Sequence, residues 1–523
     1  MITSKLILIG LHRRGPRFFR LRYYSVGKQI EEETIIKSLT NHLFIKEDEA
    51  KYLVLKHPVI KKLHQGRLQD LVETVCDLGF TTKDLIEEPS LFGILPITLR
   101  FRFKVLEECG VVNIARKDLI SYLPLVKQKT IGELRSIKKI PQHFNVENRL
   151  ASYMTKWPTS LTTLVMGDVN ELNLYSLRLK IIQRYLELIL DLTQEEFDRG
   201  IQTYPTIKHR PLKVINETLH ILQCQIMIPN NKLKNNLYLV HVDPINLKNI
   251  INNFRSIGGI DIKEVIRMYP KIATKRYDAL VEIRNILQEY GINNEAQIKC
   301  FDIYTLGSST VRDRLEKAKN IPEFNTFFQH PRFLKVIHYN TTAVKRLNKL
   351  YTNNKKCLSL NILAGSSDRY ELFEKSPGDR LGKGKDLIFC IQQSLGKKFN
   401  TKDIRSALRR HPFWINTPLV QVKFVHQQLS LHFSEDDIYQ NCPVLLYPWN
   451  KIKAILDLFD NKRNKQPVFS DFIEMDKLSQ SQKLSLVMYL LEKKHYFTGN
   501  GVWTEEKSKT IEIRPVEKML LHN

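Results

Sequence analysis

Apolar residues recur every three to four positions along most of the chain, the spacing of one face of a helix. Two clear examples are residues 99–106 and 277–287, which are followed by Gly110 and Gly291. A glycine just beyond the last apolar turn is typical of a helix C-terminus. Alternating patterns bounded by tight turns, which are typical of β-strands, are not found. The pattern therefore predicts an all-α protein.

A recurring polar motif predicts where helices begin. An apolar residue precedes Ser, Thr, Asp or Asn, an acidic residue follows three positions later, and the next residue is apolar again. This order is that of a capping box with a hydrophobic staple. The cap positions are Thr81, Thr193, Asp261, Asn400 and Ser434. A proline, which ends a helix, follows each cap after 8–12 residues; these are Pro89, Pro205, Pro270, Pro412 and Pro443.

The five caps fit one internal period of about 35 residues, which is typical of helical repeat proteins. Each repeat is predicted to contain a short capped helix, a proline stop and a longer apolar helix. Repeats of this kind stack as a superhelical solenoid. We expect the solenoid over residues 45–460, with degenerate copies near Leu306 and across 350–398. Residues 461–523 are expected to cap the solenoid, or to form a tail in which helix 484–491 and Trp503 dock a protein.

The chain is strongly basic, with 81 Lys and Arg against 55 Asp and Glu and a formal charge of +26. Residues 1–24 hold six of the basic residues and no acid, and end near Arg22-Tyr23-Tyr24-Ser25, so they are predicted to be a mitochondrial transit peptide. Without them the formal charge is still +20. We therefore expect the remaining chain to bind a polyanion. No apolar stretch reaches 18 residues, so membrane insertion is not expected.

Basic residues cluster near the proline stops and in residues 324–367, a window without Asp or Glu in which aromatic residues interleave with the cations. Equivalent positions of a solenoid share a face, so a cation repeated there forms a stripe that follows a phosphate backbone. The predicted nucleic-acid contacts are Arg100, Arg102, Lys104, Lys208, Arg210, Lys213, Lys271, Lys275, Arg276, Arg332, Lys335, Lys345, Arg346, Lys349, Arg409 and Arg410.

The cap, the acid and the Pro-x-Leu/Ile stop together resemble the repeat of the mitochondrial transcription termination factor (mTERF) family. The best copies are residues 80–92, 260–272 and 433–446, and the resemblance covers 45–460. The length of the chain is similar to that of longer, insect-type members. The resemblance implies a curved superhelix of three-helix repeats, each with a tight turn near the proline. It also implies a basic concave groove that holds double-stranded nucleic acid.

Other chemistry is not indicated. The seven cysteines are at least 33 residues apart and are predicted to be buried free thiols. Five residues separate Gly378 from Gly384, where a P-loop needs four, so a basic linker is predicted there. Glu107-Glu108 is predicted to be solvated or to face a helix dipole. No catalytic constellation is found, so we expect a non-enzyme without cofactor or metal.

Three functions stay open at this point. The first is a monomeric factor of the mitochondrial matrix that binds double-stranded mitochondrial DNA and regulates transcription, at its termination or its initiation, alone or with another mTERF-family or transcription protein. The second is a factor with the same fold that binds ribosomal RNA in mitochondrial ribosome assembly. It would recognise the shape and the 2′-hydroxyl groups of the RNA. The third is a protein-interaction scaffold for an acidic partner, since solenoids present long concave surfaces.

Overall fold

The computed structural model describes residues 32–63, 65–154, 167–353, 360–375, 384–396, 398–411, 414–460 and 477–493. The chain divides into two compact units, with the boundary between Asn216 and Glu217. Within the described ranges the strands are Ser256–Ile257 (β1) and Ile260–Asp261 (β2), an antiparallel pair in which Ser256 lies opposite Asp261. All other regular structure there is helical, so the prediction of an all-α protein is confirmed. The predicted transit peptide, Pro412 and Trp503 lie outside the described residues.

The first unit contains short and long helices in alternation. The helices are α1 (Glu32–Leu43), α2 (Glu47–Lys56), α3 (Gln65–Asp77), α4 (Thr82–Glu87), α5 (Pro96–Glu108), α6 (Arg116–Ile120), α7 (Tyr122–Lys127), α8 (Ile131–Ser136), α9 (Val146–Ala151), α10 (Leu174–Leu190), α11 (Gln194–Thr203) and α12 (Leu212–His220), which runs across the boundary.

The second unit continues the same alternation. Its helices are α13 (Asn230–Asn235), α14 (Pro244–Asn253), α15 (Ile262–Met268), α16 (Tyr277–Glu289), α17 (Asn294–Lys299), α18 (Ser308–Lys319), α19 (Pro322–Thr326), α20 (Phe333–His338), α21 (Asn340–Thr352), α22 (Leu360–Ala364), α23 (Ser367–Lys375), α24 (Gly384–Leu395), α25 (Thr401–Arg409), α26 (Leu419–Leu429), α27 (Glu435–Gln440), α28 (Trp449–Asp460) and α29 (Gln480–Glu492). None of the helices described in either unit has the length and apolar character needed to cross a bilayer.

Each predicted cap residue lies immediately before a helix. Thr193 and Ser434 form complete capping boxes, in which the cap hydroxyl accepts from the backbone N–H of the third helical residue and that residue's carboxylate accepts from the cap N–H. The side chains of Asp261 and Asn400 accept from the second helical N–H instead. These bonds satisfy N–H groups that have no partner within the helix, which contributes about 1 kcal/mol at each cap.

A 3₁₀ turn of five residues joins the short helix of a repeat to the longer one. The turns are Pro89–Gly93, Pro205–His209, Leu237–His241, Pro270–Thr274, Phe301–Thr305 and Cys442–Leu446. The third residue of every turn is buried; these are Leu91, Ile207, Leu239, Ile272, Ile303 and Val444. The Pro-x-Leu/Ile pattern of the sequence therefore corresponds to a 3₁₀ turn whose apolar third residue is buried in the core.

The copy near Leu306, which departs from the motif in sequence, contains the same elements as the other repeats. Helix α17, the turn Phe301–Thr305 and helix α18 form the same unit as elsewhere. Phe301 takes the place of the proline, and Asn293 caps α17 by accepting from Ala296 N at 2.8 Å, without an acid at the third position. The predicted linker from Gly378 lies almost wholly outside the described residues, which resume at Gly384, the first residue of α24.

Glycine ends the longer helices where the sequence predicts. Gly110 and Gly291 have φ of +74° and +66°, a region that favours glycine. The residue after each, Val111 or Ile292, donates back to the carbonyl oxygen five residues earlier. This arrangement is a Schellman motif, which satisfies the last carbonyl groups of the helix.

Helix α29, in the predicted C-terminal region, packs against α27, α28 and the turn Cys442–Leu446. Its Leu484, Val487 and Leu491 are buried. The Asn441 amide donates to Ser481 O at 3.1 Å, and Ser485 Oγ donates back to Asn441 Oδ1 at 2.7 Å. This helix therefore covers the last repeat, as a capping helix does.

Candidate nucleic-acid interface

About half of the predicted contact residues are accessible cations. Lys104, Lys213, Lys271, Lys335, Lys345, Arg409 and Arg410 are exposed, and Lys208 is half-buried. In the described part of the chain no carboxylate lies within ion-pair distance of any of these eight. Arg332 is exposed as well. These side chains are sterically available to an anionic ligand.

Three further predicted residues are held in surface ion pairs. Arg100 pairs with Asp77 at 2.9 Å, Arg276 with Asp278 at 3.1 Å, and Lys349 with Glu374 at 2.5 Å. Exposed pairs of this kind contribute at most about 1 kcal/mol. A phosphate can therefore compete for these cations, but less readily than for unpaired ones.

Arg346, one of the predicted nucleic-acid contacts, is buried and is therefore not available to a ligand in this conformation. Its side chain lies inside the second unit, and the residue is 8% exposed. The Nη1 atom donates to the carbonyl oxygens of residues 362, 363 and 365 at 3.4, 3.1 and 2.7 Å, at the C-terminal end of α22. The guanidinium thus satisfies orphan carbonyls and faces the negative end of the helix dipole.

Three other predicted contacts also have structural roles. Arg102 donates from Nη1 to Leu119 O at 2.7 Å. Lys275 is half-buried and donates from Nζ to Thr305 O at 2.7 Å, and burial lowers its pKa. The Arg210 guanidinium lies 4.3 Å from the ring centre of Phe101. Each of these three cations thus makes an intramolecular contact that stabilises the fold.

Three arginines that are not among the predicted contacts also donate hydrogen bonds to backbone carbonyl oxygens. Arg67 donates to Phe92 O at 3.3 Å, Arg135 to Phe144 O at 2.9 Å, and Arg314 to His338 O at 2.6 Å. Each acceptor lies at the end of a short helix or turn. These basic side chains therefore help to complete helix and turn ends rather than facing a ligand.

Most aromatic residues of window 324–367 belong to the core. Phe324, Phe327 and Phe333 are at most 1% exposed. Phe328 packs on Phe333 with ring centres 4.9 Å apart. Only Tyr339, which is 49% exposed, is a large aromatic surface residue of the described part of this window. The interleaving of aromatics and cations thus reflects helices with a buried and an exposed side.

The second position of the 3₁₀ turn shows how charge varies between neighbouring repeats of the second unit. The turns Leu237–His241, Pro270–Thr274 and Phe301–Thr305 contact one another in sequence order. The second residue of these turns is Tyr238, Lys271 and Asp302 in succession. At this position of the turn, the cation Lys271 is preceded by a neutral residue and followed by an acidic one in the neighbouring repeats. These three repeats therefore do not form a row of cations at that position.

The placement of metal-ligating groups and of cysteine thiols among the described residues bears on metal and thiol chemistry. In the part of the chain that the structure describes, no three or more His, Cys, Asp or Glu side chains are placed to hold a metal ion. Cys109, Cys300, Cys390 and Cys442 are buried free thiols as predicted, and burial raises the pKa of Cys109 to about 11. Cys76 and Cys224 are exposed, contrary to prediction.

One curated protein aligns with almost the whole chain. Transcription termination factor 5, mitochondrial, of Drosophila melanogaster is 30% identical over 489 residues, which is 89% of this chain and 86% of the fly protein. No family model matches the chain. No solved structure matches it either.

Proposed function

The chain belongs to the mitochondrial transcription termination factor family, and on this premise we propose that it is a mitochondrial nucleic-acid-binding factor that holds double-stranded DNA and regulates mitochondrial transcription. The main support for nucleic-acid binding is the set of accessible cations that have no carboxylate partner among the described residues. Lys208 and Lys271 lie in 3₁₀ turns and Lys345 lies within α21; Lys271 and Lys345 are exposed and Lys208 is half-buried. We propose that the protein acts in the mitochondrial matrix and that it binds the duplex without catalysing a reaction.

The repeats are proposed to stack as a solenoid. Within the second unit, consecutive 3₁₀ turns contact each other, and Lys275, directly after one turn, donates from Nζ to the carbonyl oxygen of Thr305 in the next. The same short helix, turn and long helix recur in both units. Stacking of such units gives an extended surface, which suits a rod-like duplex better than a compact ligand.

Binding is proposed to depend mainly on phosphate neutralisation. Lysine and arginine side chains that approach phosphates release condensed counterions, so affinity falls steeply with salt. Sequence preference then comes from a few arginines at base edges and from the energy of deforming the duplex. Arg409 and Arg410, exposed at the end of α25, are available for such contacts.

The experiment is a salt titration of duplex binding, read by fluorescence anisotropy of a labelled mitochondrial DNA fragment. Lys271→Gln and Lys345→Gln are each expected to lower the slope of log affinity against log salt by about 0.9. Lys248→Gln is the matched control, because Lys248 is also an exposed lysine of the second unit but is paired with Glu217 at 2.6 Å. Slopes unchanged in the first two variants would overturn the assigned surface.

Competition by structured RNA then separates the two nucleic acids. If duplex DNA is the ligand, an excess of unlabelled ribosomal RNA fragment should displace the labelled DNA less well than unlabelled DNA does. RNA that displaces the duplex at much lower concentration would favour an RNA-binding role. Salt-insensitive, weak binding of both would instead favour a protein scaffold.

A further inference from the structure

A cleft in the second unit has a lining that the proposed duplex interface does not use. Its volume is about 550 Å³, within the range of sites that bind small molecules. The lining comes from α19 and the turn after it, from α24 and from α26, with the end of α18 at one side. Since α19 and α24 both pack on α26, three contacting helices form this α19–α26 cleft.

Two lysines and no carboxylate line the cleft. Lys423 of α26 is half-buried, and its Nζ donates to Asn325 Oδ1 at 3.2 Å and to Asn325 O at 3.5 Å. No carboxylate of the described residues lies within ion-pair distance of it, and burial lowers its pKa. A partly desolvated ammonium group with only neutral partners is costly, so an anion bound there would be stabilised.

Lys319 provides a second ammonium group at the edge of the cleft. Its Nζ is 3.3 Å from Glu316 Oε1 and 4.4 Å from the ring centre of Tyr290. Both side chains of this ion pair are about half exposed. Because such a pair is weak, Lys319 can turn toward a phosphate at little cost.

The remaining lining suits a flat ring with polar edges. Phe389 meets the His330 ring edge-on with centres 4.7 Å apart, and Phe328 packs on Phe333 at 4.9 Å, so both rings are held in place. The Gln393 carboxamide also lines the cleft and can donate and accept hydrogen bonds. Aromatic faces with a few polar groups are typical of sites for nucleobases.

We propose that the α19–α26 cleft binds a free nucleoside monophosphate, with the phosphate on Lys423 and Lys319 and the base against Phe389 and Phe328. The cleft joins an anion site and an apolar, amide-edged wall within one cavity. This ligand is small and separate from the duplex, so its binding needs no DNA.

Isothermal titration calorimetry of the full chain without nucleic acid tests the proposal. The probes are the monophosphates AMP, GMP, CMP and UMP, together with ribose 5-phosphate and inorganic phosphate. At least one nucleotide is expected to bind saturably and more tightly than ribose 5-phosphate. Lys423→Gln should weaken it about tenfold or more, the loss expected for one charged hydrogen bond, and Phe389→Leu should weaken nucleotide but not phosphate.

Lys317→Gln is the matched control, because Lys317 is an exposed lysine of the same helix as Lys319 but does not line the cleft. It should bind nucleotide as the unchanged protein does, and thermal unfolding of each variant checks that it is folded. Three results would each overturn the proposal: no saturable nucleotide binding, ribose 5-phosphate binding as tightly as every nucleotide, or equal affinity in the Lys423→Gln and Lys317→Gln proteins. A single-stranded oligonucleotide that binds while the free nucleotides do not would assign the cleft to a strand, against the proposal.

Discussion

Arg178 and Glu108 form an ion pair in the interior of the first unit, with Nη1 and Oε2 3.2 Å apart and side chains only 2% and 4% exposed. The pair also fixes the start of α12. Glu108 accepts from the backbone N–H groups of Leu212 and Lys213 at 2.8 and 2.9 Å, and Arg178 donates to Arg210 O at 2.6 Å. A carboxylate at a helix N-terminus faces the positive end of its dipole, so Glu108 is the dipole partner that its sequence context suggests.

Breaking this pair is expected to destabilise the protein strongly. Arg178→Met leaves a buried carboxylate without its cation and should lower the free energy of unfolding by about 3–5 kcal/mol. Urea unfolding measures the change. Arg184→Gln on the same helix is the control, since the side chains of the Arg184–Glu187 pair, 3.4 Å apart, are 42% and 21% exposed and the pair should matter by about 1 kcal/mol. Equal, small losses in both variants would contradict the role given to Arg178.

Arg346 and Lys345 should behave as opposites although they are neighbours in α21. Arg346→Gln removes donors to three carbonyl oxygens and is expected to cost about 2 kcal/mol of stability or more. Lys345→Gln should leave stability within about 0.5 kcal/mol but weaken duplex binding at low salt. Chemical unfolding and anisotropy on the same samples give both readouts. An exposed, ligand-binding Arg346 would reverse the two results.

Two helix-ending glycines offer a matched comparison. Gly291→Ala places a Cβ in open space at φ +66° and should cost about 1–2 kcal/mol from backbone strain alone. At Gly110, with φ +74°, the added Cβ would overlap the ring of Phe144. Gly110→Ala should therefore cost clearly more, by a further 1–3 kcal/mol or so of overpacking. Thermal unfolding in which both variants lose the same stability would argue against the packing of Phe144 on this turn.

His209 should make the stability of the protein depend on pH. Burial, and then Lys127 and Arg178, lower its pKa from the ordinary 6.5 to about 4. Between pH 6.5 and about 4, His209 is therefore protonated in the unfolded chain but neutral in the folded chain. Because the unfolded state binds more protons in this range, the free energy of unfolding falls as the pH drops from 6.5 toward about 4. His411 has a pKa lowered to about 4 by burial and adds in the same direction.

The test is the pH dependence of urea unfolding for the unchanged protein and for His209→Phe. Phenylalanine keeps an aromatic ring against Tyr122 and Tyr175, whose ring centres are 5.8 and 5.7 Å from that of His209. The variant should lose less stability than the parent between pH 6.5 and 4. Parallel curves for the two proteins would show that His209 titrates normally in the folded state.

The sequence was informative wherever the local chain determines the structure. Caps such as Thr193, the prolines and the C-terminal glycines act through their own backbone groups, so their pattern predicts helix ends directly. The copy around Phe301 is predicted to be degenerate because an apolar residue replaces the proline, yet the 3₁₀ turn is kept. The repeat is held by the buried third residue, Ile303, as much as by the proline.

The candidate site was predicted less well, because charge alone does not show where a side chain points. Arg346 lies between Ala343, Leu347 and Leu350, all buried in α21. Arg178 likewise lies between Leu177 and Ile181, both buried in α10. An arginine that lies among the apolar positions of a helix is thus predicted to be buried with a partner. This pattern distinguishes Arg346 and Arg178 from the exposed Lys345. The partners themselves come from distant segments, which spacing along the chain cannot identify.

The most direct test of the central claim is crosslinking in mitochondria, with DNA and RNA recovered separately from the tagged protein and sequenced. The protein carrying Lys208→Gln, Lys271→Gln and Lys345→Gln serves as the comparison. A sharp DNA peak at one or a few sites of the mitochondrial genome, lost in the triple variant, is the expected result. Enrichment of ribosomal RNA without any DNA peak would contradict a role in transcription and point to ribosome assembly.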